Sequence, residues 1–367
     1  MASLFTSELK EGMITLTDTY STQGKLILGK DTVITKNIIN KLVNNDVIFI
    51  EVSEDTTANL NPDSNNNMDV SSLEADLIPS LSITSKPEYK KFKRRYEKNV
   101  EIIGDHLNDI VHKNAPLDID TMLTNTVNIL KATDSPLSIF TMLSTLKNYD
   151  DSTFHHSLNV ALISSIFGRW LELSDSDIEL LTLCGLFHDV GKLLIPESII
   201  KKPGKLTDKE FAIVKQHPKL GYDLLKSRNA DLNIQYAALM HHEKCDGSGY
   251  PLGLIDKQIN WYAQIITIAD IYEAMTANRV YRGPLSPFKV INMFENDGLK
   301  KYNPKFLLTF LEHVVNSYMN CKVRLSNGEE GDIVYINKVR LSKPMIKTKD
   351  TYIDLSKNAD INIESIM

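Results

Sequence analysis

Residues Cys184 to Pro196, which read CGLFHDVGKLLIP, decide how the whole chain is interpreted. At their centre, His188 and Asp189 place an imidazole beside a carboxylate, two donors that together suit a divalent metal ion. Four leucines before the pair predict a buried helix: Leu180, Leu181, Leu183 and Leu186. We expect Gly191 to end that helix and Lys192 to lie within reach of anything bound at the pair. A His–Asp dipeptide alone also suits a protein core or a helix end, so the positions of the other histidines matter.

Composition limits the class of protein. The 367 residues suffice for two or three domains, and the 42% hydrophobic and 24% charged content is that of an ordinary globular protein. A net charge of −6 and a pI near 5.9 argue against a partner that is a nucleic-acid polymer. Three widely spaced cysteines predict neither a disulfide framework nor a CxxC zinc site. With no signal peptide and no membrane span in the sequence, we expect a cytoplasmic protein.

The chain is predicted to be mainly α, with β structure at both ends. Short apolar runs around a helix at Lys36–Val43 predict a small α+β module at 1–60, and residues 61–84 have the composition of a polar linker. We expect a helical connector at 85–149 and a helical domain at 150–318. The strands and turns of VRLSNGEEGDIVYI predict a β-rich appendage at 319–367.

Helices of the connector and the helical domain follow from apolar periodicity. They are predicted at about Pro87–Val111, Asp118–Ala132, Pro136–Lys147, His156–Leu171, Asp175–Phe187, Asp208–Ser227, Asp231–His242, Trp261–Asn278, Pro287–Glu295 and Pro304–Asn316.

Seven candidate metal ligands fall in the helical domain. The five histidines and two aspartates are His156, His188, His217, His241, His242, Asp189 and Asp270. Asp270 lies in the apolar run IITIADIY, where a charge is costly to bury unless it is paired or bound to metal. Seven donors are too many for one ion but suit two octahedral ions bridged by a carboxylate. Imidazole and carboxylate donors without thiolate favour iron or manganese over structural zinc. Two such ions can hold a bridging hydroxide and clamp phosphoryl oxygens.

Several motifs in order resemble the HD-GYP family, a branch of the HD phosphohydrolases. They are HSLNVA, HDVGK, KPGKLTDKEF, HP, HHEKCDGSGYP and ADIYEAMT, and the resemblance covers about Asp150 to Leu311. It implies an HD-type helical bundle as catalytic domain. It also implies hydrolysis of the bacterial second messenger cyclic di-GMP to pGpG or GMP.

The resemblance assigns roles by position. One ion would be held by His156, His188, Asp189 and Asp270. Asp189 would bridge to a second ion whose other ligands are His217, His241 and His242. The resemblance also implies that Lys192 stabilises charge on the scissile phosphate, and that Arg279 and Arg282 bind the phosphates or guanine of the nucleotide. Asp150, Gly249 and Tyr250 match positions that could contact the substrate. A structural role is equally open for the GYP loop, which is formed around Gly247, Gly249, Tyr250 and Pro251.

Two departures from the family pattern affect the expected site. Family members with three metals carry a glutamate where this chain has Ser152, so we expect two divalent ions, iron or manganese. Gly283 replaces a common basic residue, and a phosphate contact is then absent. His155 could stand in as a ligand, but exposure to solvent is the preferred interpretation.

We therefore expect a metal-dependent phosphodiesterase acting on cyclic di-GMP. One alternative is a hydrolase of the mixed GMP–AMP cyclic dinucleotide, since the ligands do not discriminate between bases. Another is a non-catalytic sensor or scaffold that signals through the N-terminal module. Protein partners stay open: a homodimer, with the helix at Pro87–Val111 as its seam, or a signalling protein.

Overall fold

The computed structural model describes most of the chain. The described residues are 2–5, 9–16, 19–20, 26–43, 49–53, 87–131, 136–146, 153–202, 204–277, 285–358 and 360–367. The chain forms two compact units, Met1–Leu77 and Ile78–Met367. As predicted, it is mainly helical, with strands near both ends.

The first unit is a small α+β module. Its elements are β1 (Ala2–Phe5), β2 (Ile14–Thr15), β3 (Thr19–Tyr20), β4 (Leu26–Leu28), α1 (Lys36–Val43) and β5 (Phe49–Ser53). Strand β5 pairs antiparallel with β1 and β2, whereas β3 pairs with β4. A small apolar core includes Ile34, Leu42 and Val52. The predicted helix at Lys36–Val43 is confirmed.

The second unit is built around helices. These are α2 (Pro87–His112), α3 (Ile119–Leu130), α4 (Pro136–Thr145), α5 (Thr153–Trp170), α6 (Asp175–Phe187), α7 (Glu197–Ile200), α8 (Asp208–Val214), α9 (His217–Ser227), α10 (Leu232–Met240), α11 (Trp261–Thr276), α12 (Pro287–Met293), α13 (Leu299–Lys301) and α14 (Pro304–Asn316). Short 3-10 turns occupy Val190–Leu194 and Asp256–Gln258, and a π-helical turn occupies Phe294–Gly298. Predicted helices at Asp175–Phe187 and Pro304–Asn316 are confirmed with the same bounds.

Helices α5 and α6 lie unusually close together. A Cβ on Gly185 of α6 would come within 2.8 Å of the Cα of Ala161 on α5, so only glycine permits this approach. Both helices are buried over much of their length, which explains why neither shows strong amphipathic periodicity. Their contact brings the start of α5 beside the end of α6, where His156 and His188 lie.

Helix α2 covers one side of this bundle. Its buried residues recur every three or four positions, from Tyr89 through Tyr96 and Leu107 to Ile110. This face packs within the chain against α3, α5 and the 3-10 turn at Val190–Leu194. A dimer seam on α2 would therefore have to use its polar face.

A five-stranded antiparallel sheet completes the second unit. Its strands are β6 (Lys322–Leu325), β7 (Glu330–Tyr335), β8 (Met345–Thr348), β9 (Tyr352–Asp354) and β10 (Ile363–Ile366), in the order β10–β6–β7–β8–β9. One apolar cluster runs from α2 through the bundle into this sheet. Glu295 joins them further by accepting the N–H of Leu341 at 2.6 Å and the hydroxyl of Ser342. The predicted β-rich appendage is confirmed, whereas the domain bounds at 149 and 318 stay predictions.

The predicted single helix at Asp208–Ser227 is wrong, because the chain breaks between α8 and α9. Pro218 has no N–H to donate to the carbonyl of Val214 four residues earlier. The imidazole Nδ1 of His217 donates to that carbonyl instead, at 2.7 Å. After the break, His217 begins a new helix, α9.

The prediction that Gly191 ends α6 is wrong. The helix ends at Phe187, before the His–Asp pair, and Gly191 lies inside the following 3-10 turn. A Cβ there would collide with the backbone of His217, so the glycine serves a close approach between segments. None of the helices among the described residues is long and apolar enough to cross a membrane.

Candidate metal centre

The predicted ligands converge from five helices on one buried place. His156 lies in the first turn of α5, and His188 with Asp189 follows the last residue of α6. His217 begins α9, His241 and His242 follow α10, and Asp270 lies inside α11. Six of the seven side chains are buried and His242 is half-buried.

One group of donors surrounds Oδ2 of Asp189. The Nε2 atoms of His156 and His188 each lie 3.3 Å from this oxygen and 3.3 Å from each other. Asp270 adds its Oδ1 at 3.0 Å from Nε2 of His156 and 4.0 Å from Nε2 of His188. His156, His188 and Asp189 offer donor atoms that all lie within 4.8 Å of one another.

A second group faces the other oxygen of the same carboxylate. The Nε2 atoms of His217 and His241 lie 3.2 Å and 3.5 Å from Oδ1 of Asp189, and 3.2 Å from each other. The ring of His242 lies 4.1 Å from that of His241, and all four residues offer donors within 4.8 Å. Asp189 thus presents one oxygen to each group, the arrangement of a bridging ligand.

Hydrogen bonds fix the tautomers of four imidazoles. The Nδ1 of His188 donates to the Gly185 carbonyl at 2.7 Å, and that of His241 donates to the Ala238 carbonyl at 3.0 Å. His217 bonds Val214 in the same way, and Nδ1 of His156 donates to the carboxylate of Glu273. Because a neutral imidazole carries one proton, the Nε2 atoms of His188, His217 and His241 in their neutral form each direct a lone pair at the centre.

The surroundings of the buried Oδ1 of Asp189 indicate whether metal ions fit between the two groups of donors. Among the described residues nothing donates a hydrogen bond to it, although two imidazole nitrogens lie nearby. With their protons on Nδ1, these nitrogens cannot donate. An unpaired buried carboxylate oxygen facing nitrogen lone pairs is costly unless a cation lies between them. The donor set, all imidazole and carboxylate, therefore fits divalent metal ions.

The protonation states of the second group of donors favour metal binding. Burial lowers the pKa values of His217, His241 and His242, so these imidazoles are neutral near pH 7. Burial also opposes the charge on Asp189, but Lys192 and the neighbouring imidazoles outweigh it and hold the Asp189 pKa well below its usual value. The carboxylate of Asp189 is therefore ionised.

His156 behaves differently from the other histidines. Burial disfavours its charged form, but the carboxylates of Glu273, Asp189 and Asp270 outweigh burial and raise the His156 pKa well above its usual value. In metal-free protein this imidazole holds a proton that a metal ion would displace.

Lys192 lies at the edge of the centre. Its Nζ is 2.5 Å from Oδ2 of Asp189, and its side chain is half-buried. The 3-10 turn places this ammonium beside the carboxylate while leaving it accessible. A cation held there can contact an anionic group that approaches the metal ligands.

The GYP loop packs directly on the second group. The Tyr250 ring stacks on that of His242, with centroids 4.6 Å apart. A Cβ on Gly249 would lie 2.4 Å from the Cα of Glu243, so the loop needs glycine at this contact. The buried carboxylate of Glu243 accepts the N–H groups of Leu252 at 2.6 Å and Leu254 at 2.9 Å.

Two glutamates of the site are not predicted from the sequence. Glu273 lies three residues after Asp270 on α11, and that spacing could have shown that both face the centre. Glu243 directly follows the histidine pair, but nothing local shows that its carboxylate turns back onto the loop.

Some predicted residues cannot be placed. Asp150, Arg279 and Arg282 lie outside the described residues, as do Ser152 and Gly283. His155 is half-buried with its ring 5.9 Å from that of Tyr96, and it belongs to neither group of donors.

Comparisons with known proteins show which proteins this chain resembles. Residues 141–306 match a family model described as "HD domain". A cyclic di-GMP phosphodiesterase of Pseudomonas aeruginosa is 35% identical over 204 residues, which cover 55% of this chain and 49% of that protein. A 3'3'-cGAMP-specific phosphodiesterase of Vibrio cholerae is 38% identical over 146 residues, or 40% of this chain and 34% of that protein. The chain thus spans half or less of the length of these curated relatives.

A solved structure shares the fold. Bd1817, an HDG"Y"P protein from Bdellovibrio bacteriovorus, superimposes with a TM-score of 0.51 over 84% of this chain and 97% of that chain. Its sequence identity is 16%, so the similarity bears on the fold alone.

Proposed function

Residues 141–306 belong to the HD domain family, and from that premise we propose that this chain is a metal-dependent phosphodiesterase that hydrolyses cyclic di-GMP. The observation that carries the proposal is the position of Asp189, whose two oxygens face separate groups of imidazole donors. The similarity to a cyclic di-GMP phosphodiesterase supports the choice of substrate.

Two divalent ions, iron or manganese, are proposed to occupy the two groups. His156, His188, Asp189 and Asp270 would hold one ion, and Asp189, His217, His241 and His242 the other. When bound, such ions would activate water and neutralise charge on the phosphoryl oxygens. The tautomers of the histidines prepare this site, because every assigned Nδ1 proton is already held by an acceptor outside the centre.

The chain's own residues supply the remaining steps. Lys192 would leave Asp189 and contact the scissile phosphate, stabilising charge as it develops. Tyr250 and Gly249 would form one wall of the substrate site, and Arg279, Arg282 and Asp150 would add contacts to the nucleotide. The product would be pGpG, or GMP after a second cleavage. We place the reaction in the cytoplasm, where the three free cysteines would remain reduced.

The mixed GMP–AMP cyclic dinucleotide is the second candidate substrate. The similarity to a 3'3'-cGAMP-specific phosphodiesterase specifically favours it. Both substrates carry the same phosphodiester backbone, so the metal ligands do not distinguish them.

Initial rates on both substrates test the proposal. Protein purified anaerobically with iron or manganese should convert cyclic di-GMP to pGpG or GMP, with its metal content measured in the same sample. Asp189→Asn should abolish turnover. Asp223→Asn, which changes an exposed carboxylate paired with Lys219, should leave it unchanged. Faster hydrolysis of the mixed dinucleotide would favour the second candidate, and tight binding without turnover would favour a sensor.

A further inference from the structure

A chain of hydrogen bonds runs from helix α2 to the metal centre. The hydroxyl of Tyr96 donates to Oδ1 of Asn159 at 2.7 Å, and Nδ2 of Asn159 donates to Oε1 of Glu273 at 2.8 Å. The other oxygen of Glu273 accepts the Nδ1 proton of His156 at 2.5 Å. Four residues from three helices are thus joined in one path that ends on a predicted ligand.

The path is sheltered from solvent. Tyr96 and Glu273 are buried, and Asn159 is half-buried between them. The amide of Asn159 has a fixed orientation, because its oxygen faces a donor and its nitrogen faces a carboxylate. That orientation directs one oxygen of Glu273 toward Asn159 and leaves the other for the His156 ring.

The consequence falls on His156. Its Nδ1 proton is held by Glu273, so Nε2, which faces Asp189 and Asp270, is the nitrogen left to bind an ion once the ion displaces its proton. Partners that hold the outer nitrogen of a ligating histidine fix its orientation and raise metal affinity. A change in the Asn159 amide would therefore alter how well His156 binds an ion.

We propose that Tyr96 is a positioning residue of the metal centre, acting on His156 through Asn159 and Glu273. The proposal rests on the proposed function only in taking His156 as a metal ligand. Tyr96 lies in α2, before the segment 141–306 that matches the HD domain family. A shift of α2 that separates Tyr96 from Asn159 is then transmitted to the metal centre, and this helix becomes a route for regulation.

A purely structural tyrosine provides the matched control. Tyr262 is buried like Tyr96, and its hydroxyl donates to Oδ1 of Asp177 at 2.6 Å. That bond joins α11 to α6 and ends on a carboxylate that belongs to neither group of donors. Tyr262→Phe therefore removes a comparable hydrogen bond without touching the path.

The test measures metal affinity in the absence of nucleotide. Mn²⁺ or Co²⁺ is titrated into the metal-free full chain in competition with a chelator of known affinity. Tyr96→Phe should weaken metal binding severalfold, which is less than the tenfold or more that losing a direct partner of a ligating histidine costs. It should also shift the visible absorption bands of the Co²⁺-loaded protein. Tyr262→Phe should do neither.

Further results decide the outcome. Asn159→Ser, which breaks the same path at its next member, should reproduce the effect of Tyr96→Phe. The proposal would be overturned if Tyr96→Phe kept the metal affinity and Co²⁺ spectrum of the wild type, or if both tyrosine variants lost affinity equally. It would also be overturned if the wild-type chain bound no metal. Wild-type protein that binds metal but hydrolyses no cyclic dinucleotide would refute the proposed function and leave this inference standing.

Discussion

The backbone of Gly191 lies against the carbonyl of His217, so close that a Cβ on the glycine would come within 2.0 Å of that oxygen. The same Cβ would lie 2.5 Å from the amide nitrogen of Gly221. This contact holds the 3-10 turn after Asp189 against the first turn of α9. It therefore helps to set the distance between the carboxylate of Asp189 and the imidazole of His217.

Replacing Gly191 by alanine should disrupt this contact. The obstructing atoms belong to backbone and cannot rotate away, so we expect the free energy of unfolding to fall by about 3 kcal/mol. Metal affinity should fall as well, because the turn must move away from His217. Chemical denaturation and metal titration check the two effects.

Gly104→Ala is the matched control in helix α2. There the nearest atoms to a new Cβ belong to the Phe154 side chain, at 3.1 Å, and a side chain can shift. A helix interior also gains about 1 kcal/mol when alanine replaces glycine. Wild-type stability and metal content in Gly191→Ala would show that the close approach is not required.

The two aspartates of the centre should differ in how many ions they control. Asp189 faces both groups of donors, whereas Asp270 has its Oδ1 within 4.0 Å of Nε2 of His156 and His188 in the first group. We expect Asp189→Asn to lower metal content from about two ions per chain toward none, and Asp270→Asn to leave about one. Elemental analysis of the purified variants measures this, and equal losses would contradict a bridging role for Asp189.

Local signals account for what the sequence predicted well. Helices α6 and α14 have the bounds that apolar periodicity predicts, and each follows a capping residue, Ser174 or Asn303, whose side chain accepts backbone N–H groups. The candidate ligands were found because their residue types are costly to bury together without a metal. Their grouping around the two oxygens of Asp189 had come only from family resemblance.

The structural features that the sequence does not predict depend mainly on contacts between segments that are distant in the chain. Gly191 and His217 are far apart in the chain, so a glycine needed for backbone approach was mistaken for one that ends a helix. The path from Tyr96 to Glu273 likewise joins residues that no local pattern relates. The break between α8 and α9 was missed although Pro218 marks it, because the apolar periodicity continues on both sides.

Glu243 should control the GYP loop rather than the metal ligands. Its carboxylate accepts two loop N–H groups, and hydrogen bonds to a charged acceptor contribute about 1.5–3 kcal/mol each. In Glu243→Gln the amide offers one acceptor in place of two. We expect lower stability and a severalfold higher KM for the cyclic dinucleotide, because the loop carries Tyr250, with nearly unchanged metal affinity.

Steady-state kinetics and metal titration separate these effects. Glu179→Gln, which changes an exposed carboxylate on α6, is the control and should behave as wild type. A loss of metal with no change in KM would assign Glu243 to the ligands instead of the loop.

The stability of the protein should depend on pH in opposite ways without and with metal. In metal-free protein the His156 pKa is raised well above 6.5, so its proton stabilises the fold fully below about pH 6.5, and this contribution is lost as pH rises through the folded pKa. His217, His241 and His242 have lowered pKa values, so below about pH 6.5 they favour the fold increasingly as pH rises. Metal-free stability should therefore peak near pH 6.5 and then decline by up to about 1.4 kcal/mol per pH unit.

Metal-loaded protein should gain stability over the same range, because ligands bind metal only when deprotonated. Denaturant midpoints from about pH 5.5 to about pH 8.5, with chelator and with metal, measure both slopes. His156→Gln should remove the metal-free decline, and a decline that persists in this variant would assign the raised pKa to another group.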